Sequence, residues 1–326
     1  MKSNPKQDID RREFRCCLLD WYDANQRDLP WRGQCDPYRI WLSEIMLQQT
    51  RVSAVVEHYR RFLRRFPSIE KLAAARESSV LAAWSGLGYY RRARMLHAAA
   101  RKVMREFGGK VPTTAAGLRE LPGIGRYTAA AIASIAFEEP AAVVDGNVER
   151  VLSRILGRTS SGEPLWSTAN DFLDAGRPGD FNQAMMELGA TICLPRGAMC
   201  ASCPVERFCA TKGDGTRVGA PVPQRKREIS YRLACRNGSV FLVQRPLSVP
   251  LMPGMWELPE VHSPNGTNGT CLTLRHSITV TDYTVVVHRG AAPRLAGKWV
   301  PRTRLAKLPL TGLARKILRA AKIMGE

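Results

Sequence analysis

Apolar residues recur at three- and four-residue spacing from residue 8 to about 210, and this spacing predicts a nearly continuous series of helices. Glycines and prolines, such as Gly108-Gly109 and Pro122-Gly123, separate the apolar segments. No convincing strand pattern interrupts the series. The predicted helices span residues 11–25, 38–48, 52–65, 77–84, 91–106, 114–120, 126–137, 147–156, 166–174 and 181–192.

Beyond this region the pattern changes. Residues 212–228 are rich in glycine, proline and charge, which predicts a linker. ISYRLACR (229–236) and SVFLVQR (239–245) predict a hairpin, because the Asn237-Gly238 pair between them tolerates the positive φ of a type I′ turn. Further strands are predicted at LTLRHSITV (272–280) and YTVVVHR (283–289), followed by an amphipathic basic helix at about 311–324.

Composition adds a function class to this outline. The chain has 326 residues, of which 44% are apolar, enough for the cores of two or three domains. Its net charge is +20, from 49 Lys and Arg against 29 Asp and Glu. Such an excess is typical of proteins that bind a polyanion, most commonly nucleic acid, although a generally basic soluble protein is the alternative.

The sequence indicates no membrane partner. MKSNPKQDIDRREF has no apolar segment of a secretory signal, and no run of about 18 apolar residues predicts a membrane span. We therefore expect a cytoplasmic monomer, associated with the nucleoid if the source is bacterial.

Four of the nine cysteines lie close together, at Cys193, Cys200, Cys203 and Cys209. This grouping favours a metal site in a reducing compartment over a disulfide framework. Zinc and a [4Fe–4S] cluster both accept four thiolates, and the spacing alone does not choose between them.

An acidic residue interrupts the apolar pattern of WLSEIMLQQT (41–50). Glu44 lies one helical turn from Ile40, Trp41 and Leu47, so its carboxyl group is expected to be poorly hydrated. Poor hydration disfavours the charged form. We therefore expect Glu44 to retain its proton near neutral pH.

A second carboxyl group is expected to behave in the opposite way. In AVVDGNVERVL (141–151), Asp145 is placed to cap the helix that begins at Gly146, where the positive end of the helix dipole favours the anion. A plain helix cap is the simpler interpretation, and the two are compatible. A protonated acid beside an anion is the arrangement that glycoside-cleaving enzymes use.

LPGIGRYTAAAI (121–132) predicts a turn between two helices, the second beginning near Arg126. Gly123 and Gly125 allow close approach of a ligand to the backbone, and the exposed amides of such a turn form an anion site. An ordinary helix–helix corner is the alternative, but the net charge favours a DNA phosphate.

Taken in order, these segments resemble the MutY family of adenine DNA glycosylases, part of the endonuclease III superfamily with its helix-hairpin-helix element. The resemblance is collinear over residues 27–209. It is carried by RDLPWR (27–32), PYRIWLSEIMLQQTRV (37–52), GLGYYRRAR (86–94), LPGIGRYTAAAI (121–132), VVDGNVERV (143–151), FNQAMMELGATIC (181–193) and the four cysteines. LVQRP (242–246), GMWELP (254–259) and KWVP (298–301) resemble, more weakly, the family's Nudix-like C-terminal domain.

The resemblance implies a mainly α catalytic region followed by an α+β Nudix-like recognition domain. Residues 34–140 are expected to form a six-helix barrel with the helix-hairpin-helix, and residues 8–33 with 141–211 an iron–sulfur helical domain. The linker at 212–228 leads to the recognition domain at 229–326. The cysteine spacing matches the family's [4Fe–4S] loop. The chain lacks the magnesium-binding signature of Nudix hydrolases, so this domain is expected to recognise and not to hydrolyse.

The resemblance also implies an activity, the excision of adenine paired with 8-oxoguanine or guanine in duplex DNA. Glu44 matches the general acid that protonates adenine at N7. Asp145 matches the anion that stabilises the oxocarbenium ion or bonds to it transiently. Asn147 matches a residue that helps to place the water, and Tyr127 a pocket tyrosine. The endonuclease III family has a lysine at position 127, so the tyrosine predicts a monofunctional glycosylase.

Further residues match the family's binding positions, and each has a plainer alternative as core or solvated surface. Those matching the adenine pocket are Arg27, Trp31, Leu47 and Gln183. Those matching DNA contacts are Gln49, Tyr89, Arg91, Gly123 and Gly125, and those near the 8-oxoguanine site are His276, Ser277 and Thr279.

The chain departs from the family in one loop. Aligned on His276, the family's Phe-Ser-His-like loop reads Ile278-Thr279-Val280, so its histidine is missing. We therefore expect weaker discrimination against plain guanine. Two other functions stay open from sequence: a pyrimidine glycosylase with lyase action, and a non-catalytic DNA-binding protein that uses the cluster for structure or redox sensing.

Overall fold

The computed structural model describes residues 9–212, 225–261, 267–278 and 281–325. Helices dominate the region before residue 212, and strands follow it. The α-helices are α1 (Arg11–Asn25), α2 (Pro37–Leu47), α3 (Val52–Arg65), α4 (Ile69–Ala73), α5 (Glu77–Trp84), α6 (Arg91–Glu106), α7 (Ala115–Leu118), α8 (Arg126–Phe137), α9 (Gly146–Leu156), α10 (Glu163–Phe172), α11 (Pro178–Thr191) and α12 (Gly312–Ala320). The strands are β1 (Arg225–Leu233), β2 (Cys235–Arg236), β3 (Ser239–Gln244), β4 (Trp256–Glu257), β5 (Thr267–Ile278), β6 (Thr281–Gly290) and β7 (Lys298–Pro301).

Side-chain caps fix where several of these helices begin. Asp36 accepts hydrogen bonds from the amides of Tyr38 and Arg39 at the start of α2. Thr311 accepts one from the amide of Ala314 in α12. Such caps satisfy amide groups that the first helical turn leaves without intrahelical partners.

The chain forms two compact units, as far as its residues are described. The first unit comprises Met1–Gln48 and Lys102–Gly219, and the second comprises Gln49–Arg101 and Ala220–Glu326. These divisions run through residues 34–140, which the sequence led us to treat as one domain. That domain scheme stays a prediction.

The core of the first unit is built by α1, α8, α9, α10 and α11. The ring of Phe14 is its centre, since Phe172 and Phe208 pack against it edge to face, with ring centroids 5.0 and 5.7 Å away. Contacts of this geometry stabilise a core beyond the area they bury. They also join α1 to the residues around the cysteine loop.

In the second unit the strands form two sheets. In one, β6 lies between β1, which is parallel to it, and β5, which is antiparallel. In the other, β3 pairs with β2, β4 and β7, all antiparallel. Residues of both sheets and of helix α12 form one hydrophobic core, in which Ile317 and Leu318 of α12 are fully buried. In the helical part of this unit, the rings of Phe62 and Trp84 meet edge to face at 5.8 Å.

The predicted helices before residue 212 are confirmed in type, with ends that differ by up to three residues. The sequence analysis missed α4, a helix of five residues capped by Ser68, because so short a segment shows little periodicity. The C-terminal helix ends at Ala320, four residues earlier than predicted, and Lys322 turns the chain with φ of 56°. No helix among the described residues is long and apolar enough to cross a membrane.

The predicted hairpin is only partly right. Asn237 and Gly238 both have positive φ, 48° and 70°, as a type I′ turn requires, but only Cys235–Arg236 pairs across it. The preceding residues belong to β1, which pairs with β6 and begins at Arg225, inside the predicted linker. Tyr231 is the reason, since it lies beside Val287 of β6 and both side chains are buried in one core.

The first unit also contains a cluster of salt bridges around a buried glutamate, which the local sequence pattern did not predict. Glu187 in α11 is 1% exposed and accepts from Nε and Nη2 of Arg27 at 2.6 and 2.7 Å and from Nη2 of Arg32 at 2.6 Å. Burial opposes ionisation, but the two arginines outweigh it and lower the pKa of Glu187 to about 2. The cluster ties α11 to the segment before α2.

We predict that Glu187→Gln destabilises the protein by about 3 kcal/mol, because it leaves two guanidinium groups facing each other without their counter-charge. The measurement is urea unfolding at pH 7. The matched control is Glu163→Gln, which breaks an exposed two-point pair with Arg126 and is expected to change stability little. Equal losses in the two variants would contradict this account.

Candidate active site

Glu44 lies inside α2 with its carboxyl group almost out of solvent. It is 6% exposed, and its helical neighbours Ile40 and Trp41 are 2% and 0% exposed. Burial raises the pKa of Glu44 to about 7. A hydrogen bond from Tyr127 opposes that rise, whereas the nearby negative charge of Asp145 adds to it. The group is therefore able to hold a proton at neutral pH.

Tyr127 lies beside Glu44, in the first turn of α8. Its hydroxyl lies within hydrogen-bonding reach of Glu44 and of Sδ of Met186, which is 3.2 Å away, and it has one proton for the two acceptors. Burial, followed by the charges of Glu44 and Asp145, raises the pKa of Tyr127 well above its usual value. The phenol is therefore neutral throughout the working pH range.

Asp145 caps α9 with both of its carboxylate oxygens engaged. Oδ1 accepts from the amides of Asn147 and Val148 at 2.9 and 2.8 Å, and Oδ2 accepts from Nδ2 of Asn147 at 2.9 Å. The first unit thus brings together a buried carboxyl group, a phenol, a helix-capping carboxylate and an amide.

A glycine lets α11 approach this end of α9. A Cβ placed on Gly189 would lie 2.6 Å from Cβ of Asn147, closer than real Cβ contacts. Gly189 also accepts a hydrogen bond through its carbonyl from Nη2 of Arg150 at 2.7 Å. The position of Asn147 therefore depends on a residue with no side chain at this point of α11.

Arginines of α9 link the site to the cysteine loop, and the sequence analysis did not single them out. Arg150 donates to Oδ1 of Asn147 and to the carbonyl of Cys193, both at 2.9 Å. Arg154, four residues later and buried, donates to Sγ of Cys193 at 3.2 Å and to the carbonyl of Leu194 at 2.7 Å. The four-residue spacing of these arginines was the available signal.

The four predicted cysteine ligands lie in the described segment 9–212, and none is in a disulfide. Burial raises the pKa of Cys203 to about 11, and the thiolates of the other three cysteines add to the rise. The four sulfurs therefore lie within electrostatic reach of one another, and four free thiols suit a thiolate-bound metal centre. Within the described residues, however, no three or more His, Cys, Asp or Glu side chains are arranged to hold a metal ion.

The residues that resemble an adenine pocket are mostly not exposed. Trp31 is 7% exposed, and Leu47 and Gln183 are half-buried. Arg27 is held by Glu187, so its guanidinium has a partner within the protein. Glu187 is the residue of this group that sequence reasoning missed, because its partners are about 160 positions away in the chain.

The helix-hairpin-helix turn has the predicted form. Gly123 has φ of +79°, and Gly125 caps α8, with both glycines exposed and Ile124 between them buried. A Cβ on Gly125 would meet no atom within 4 Å. The absence of a side chain there leaves room above the first amides of α8, as an anion site requires.

The remaining predicted contacts belong to the second unit. Gln49 and Tyr89 are exposed and have positive φ, 54° and 46°, and Arg91 is exposed as well. His276 lies in β5 opposite Tyr283, and Ser277 donates a hydrogen bond to Asp282. Thr279 falls outside the described residues.

Comparisons with known proteins give this geometry a family. The HhH-GPD superfamily of base excision DNA repair proteins matches residues 42–165. The adenine DNA glycosylase of Mus musculus is 49% identical over 213 residues, covering 60% of this chain and 41% of that protein. The one from Arabidopsis thaliana is 39% identical over 300 residues, covering 76% of this chain and 47% of that protein. The chain thus spans less than half the length of both.

Among solved structures, a thermostable thymine-DNA glycosylase superposes with a TM-score of 0.58 and 32% identity. The superposition covers 61% of this chain and 95% of that one, so nearly the whole of that enzyme is represented here. The chain therefore belongs to the HhH-GPD superfamily of base excision DNA repair proteins, and the mouse and plant relatives are adenine DNA glycosylases.

Proposed function

We propose that this protein is a monofunctional adenine DNA glycosylase that excises adenine paired with 8-oxoguanine or guanine in duplex DNA. The observation that carries the proposal is the buried carboxyl group of Glu44 beside the capped carboxylate of Asp145. The names of the mouse and plant relatives support the choice of base. The chain covers less than half of each, so the proposed chemistry rests on the geometry of the site.

The first task of the site is to make adenine a leaving group. The base leaves the stack and enters the pocket, since no protein group reaches its glycosidic bond inside the duplex. Glu44 then gives its proton to N7 of adenine while the bond between N9 and C1′ breaks and its electron pair passes to the base. A pKa near 7 keeps this proton available at neutral pH.

The second task is to stabilise the positive charge that develops on the sugar. Asp145 carries a negative charge held by two backbone amides and one side-chain amide, so it needs no reorganisation when the charge appears. It acts either through space or through a transient bond to C1′. Water, oriented by Asn147, then adds at C1′ and displaces any bond to Asp145. It gives one proton to the carboxylate of Glu44, which restores the acid.

With Tyr127 at this position, we expect no strand cleavage by the enzyme. A lyase requires an amine that forms a Schiff base with the sugar, and a neutral phenol cannot do so. The neighbouring Arg126 is no substitute, because both of its terminal nitrogens bond to Glu163 and guanidinium groups remain protonated. The product is therefore an intact abasic strand.

Binding to duplex DNA rests on charge and on the helix-hairpin-helix turn. The net charge of +20 attracts the phosphate backbone. The amides that follow Gly123 and Gly125 donate hydrogen bonds to one phosphate of the backbone. Gln49, Tyr89 and Arg91 form the second contact region, with Tyr89 as a wedge between bases.

The C-terminal domain, which resembles the Nudix-like domain of the family, is assigned to the opposing base. His276 and Ser277 lie at the end of β5, and Thr279 follows beyond it. Ser277 is already bonded to Asp282, which leaves fewer free polar groups for 8-oxoguanine.

The cofactor proposed for Cys193, Cys200, Cys203 and Cys209 is a [4Fe–4S] cluster. Bound to the four sulfurs, the cluster would hold them as thiolates and would fix the loop in one shape, whereas without it burial, and after it the charges of the other cysteines, raises the pKa of Cys203. Arg154 contributes from this chain by donating to Sγ of Cys193.

The 32% sequence identity to a thymine-DNA glycosylase favours a second candidate function, the removal of thymine paired with guanine. Glu44 favours adenine as the substrate base, because a purine has N7 as a proton acceptor for a general acid and thymine has no such nitrogen.

We predict that the protein removes adenine from duplexes with adenine opposite 8-oxoguanine or guanine, and that the resulting abasic strands break only after alkali treatment. Glu44→Gln is expected to lower the single-turnover rate at least about 100-fold, because the amide has no proton to give. The matched control is Glu149→Gln, an exposed position in the first turn of α9, with no expected change. Duplexes with thymine opposite guanine or an oxidised pyrimidine test the alternatives, and breaks before alkali would exclude a monofunctional enzyme.

We predict that Glu44 costs stability as the pH rises. Its pKa is about 7 in the folded state against 4.5 when unfolded, so the folded state holds the proton longer and loses stability between these values. The free energy of unfolding of Glu44→Gln, relative to that of the native protein, should therefore rise by up to about 3 kcal/mol between pH 4.5 and pH 8. Thermal unfolding at several pH values measures this difference. For Glu149→Gln the difference from the native protein should not change with pH. A difference that does not change with pH for Glu44→Gln would be incompatible with a raised pKa.

We predict about four iron and four sulfide ions per chain in protein purified without oxygen, from the composition of a [4Fe–4S] cluster. Cys203→Ala should lose them, whereas Cys235→Ala, an exposed cysteine in β2, should not. Metal and sulfide analysis is the measurement. One zinc ion per chain, with no sulfide, would contradict the cluster and show that the four cysteines bind zinc.

We predict that the missing histidine weakens discrimination between the two opposing bases. Val280→His restores it and should raise the ratio of the rates opposite 8-oxoguanine and opposite guanine. Single-turnover rates on the two duplexes give the ratio. An unchanged ratio would remove this loop from the account of specificity.

A further inference from the structure

A single backbone carbonyl of the C-terminal region is shared by two buried hydroxyls of the helical region, all within the second unit. The carbonyl of Leu310 accepts from Oγ of Ser85 at 2.7 Å and from the hydroxyl of Tyr90 at 3.2 Å. Nε of Arg315 donates to Oγ of Ser85 at 3.0 Å. These four residues are at most 9% exposed, and we call them the Leu310 clamp.

The strand β4 and the start of α12 hold Leu310 in place. The amide of Trp256 donates to the carbonyl of Pro309, and the amide of Thr311 donates to the carbonyl of Trp256, both at 2.9 Å. Thr311 also caps α12, which carries Arg315 one turn later. The clamp therefore transmits the position of the C-terminal domain to Ser85 and Tyr90.

The residues between Ser85 and Tyr90 form a loop in an unfavourable conformation. Gly86, Gly88 and Tyr89 have φ of +109°, +73° and +46°. Tyr89 has a side chain, so the left-handed region costs it free energy that its surroundings must supply. The Tyr90 hydroxyl also accepts from the amide of Gly86 at 3.4 Å, so both ends of the loop meet at the clamp.

The loop presents a large aromatic side chain to solvent. Tyr89 is 48% exposed, and the guanidinium of Arg92 lies over its ring at 5.4 Å. Nε1 of Trp84 donates to the carbonyl of Gly88 at 3.2 Å, which supports the loop from the helical side. The ring is therefore held by polar contacts of its loop while about half of it stays exposed.

The geometry points to a positioning role for Ser85, Tyr90 and Arg315: through Leu310, the C-terminal domain holds the Gly86–Tyr89 loop in the one conformation that inserts Tyr89 into DNA. The inference rests on the proposed function. The C-terminal domain then contributes to adenine excision by holding this loop through Leu310, in addition to any contact it makes with the opposing base.

Tyr90→Phe is the primary test, because it removes the hydroxyl and keeps the buried ring. Ser85→Ala is the second variant. The matched control is Tyr231→Phe, another buried tyrosine of the same unit, in β1. Each variant is measured in two ways: the single-turnover rate on adenine opposite 8-oxoguanine, and the rise in fluorescence of a 2-aminopurine placed beside the 8-oxoguanine, which reports unstacking.

We expect Tyr90→Phe and Ser85→Ala to lower both readouts, the rate by about tenfold, as expected for loss of a buried hydrogen bond. Tyr231→Phe should leave both unchanged at equal thermal stability. In a Tyr89→Ala background, Tyr90→Phe should change the rate less than about twofold, because residues that act through one another are not additive.

The outcomes separate this inference from the proposed function. Normal excision with no effect of Tyr90→Phe, or additive effects of Tyr89→Ala and Tyr90→Phe, overturns the clamp and leaves the glycosylase standing. No excision by the native protein, with a fluorescence rise that Tyr90→Phe reduces, overturns the glycosylase and supports the clamp. No fluorescence rise in the native protein overturns the clamp.

Discussion

The removal of Glu44 from water is the constraint on which the site depends. A carboxyl group surrounded by apolar side chains, with the charge of Asp145 nearby, favours its neutral form, and its pKa rises to about 7. The same environment costs stability once the proton is lost. Glu44 is thus kept in a position that folding alone does not favour, which is typical of residues retained for chemistry.

Asp145 lies in the same unit in a polar setting, where its carboxylate accepts three hydrogen bonds. The cap of α9 supplies it with amide donors, and Gly189 allows α11 to approach closely enough to define Asn147. Arg150 extends this arrangement to the cysteine loop. Asp145 and the cysteine loop are therefore held by the same helix, α9, whereas Glu44 is supplied by α2.

The sequence predicted what depends on local pattern and missed what depends on distant partners. Periodicity located the helices, and an acid in an apolar helix identified Glu44 as unusual. It could not reveal Glu187, whose partner Arg27 is 160 positions away, or the bond between Tyr90 and Leu310, 220 positions apart. The pairing of β1 with β6 was missed for the same reason, since a nearby Asn-Gly turn suggested a local partner.

The most direct test of the central claim is the titration of the Glu44 carboxyl group itself. Carbon-13 NMR of protein labelled at the glutamate side-chain carboxyl carbon would follow it, with Glu44→Gln identifying the signal. The account predicts a midpoint near pH 7, and a lower midpoint in Asp145→Asn because the neighbouring charge is removed. A midpoint near the ordinary value of 4.5 in the native protein would contradict it.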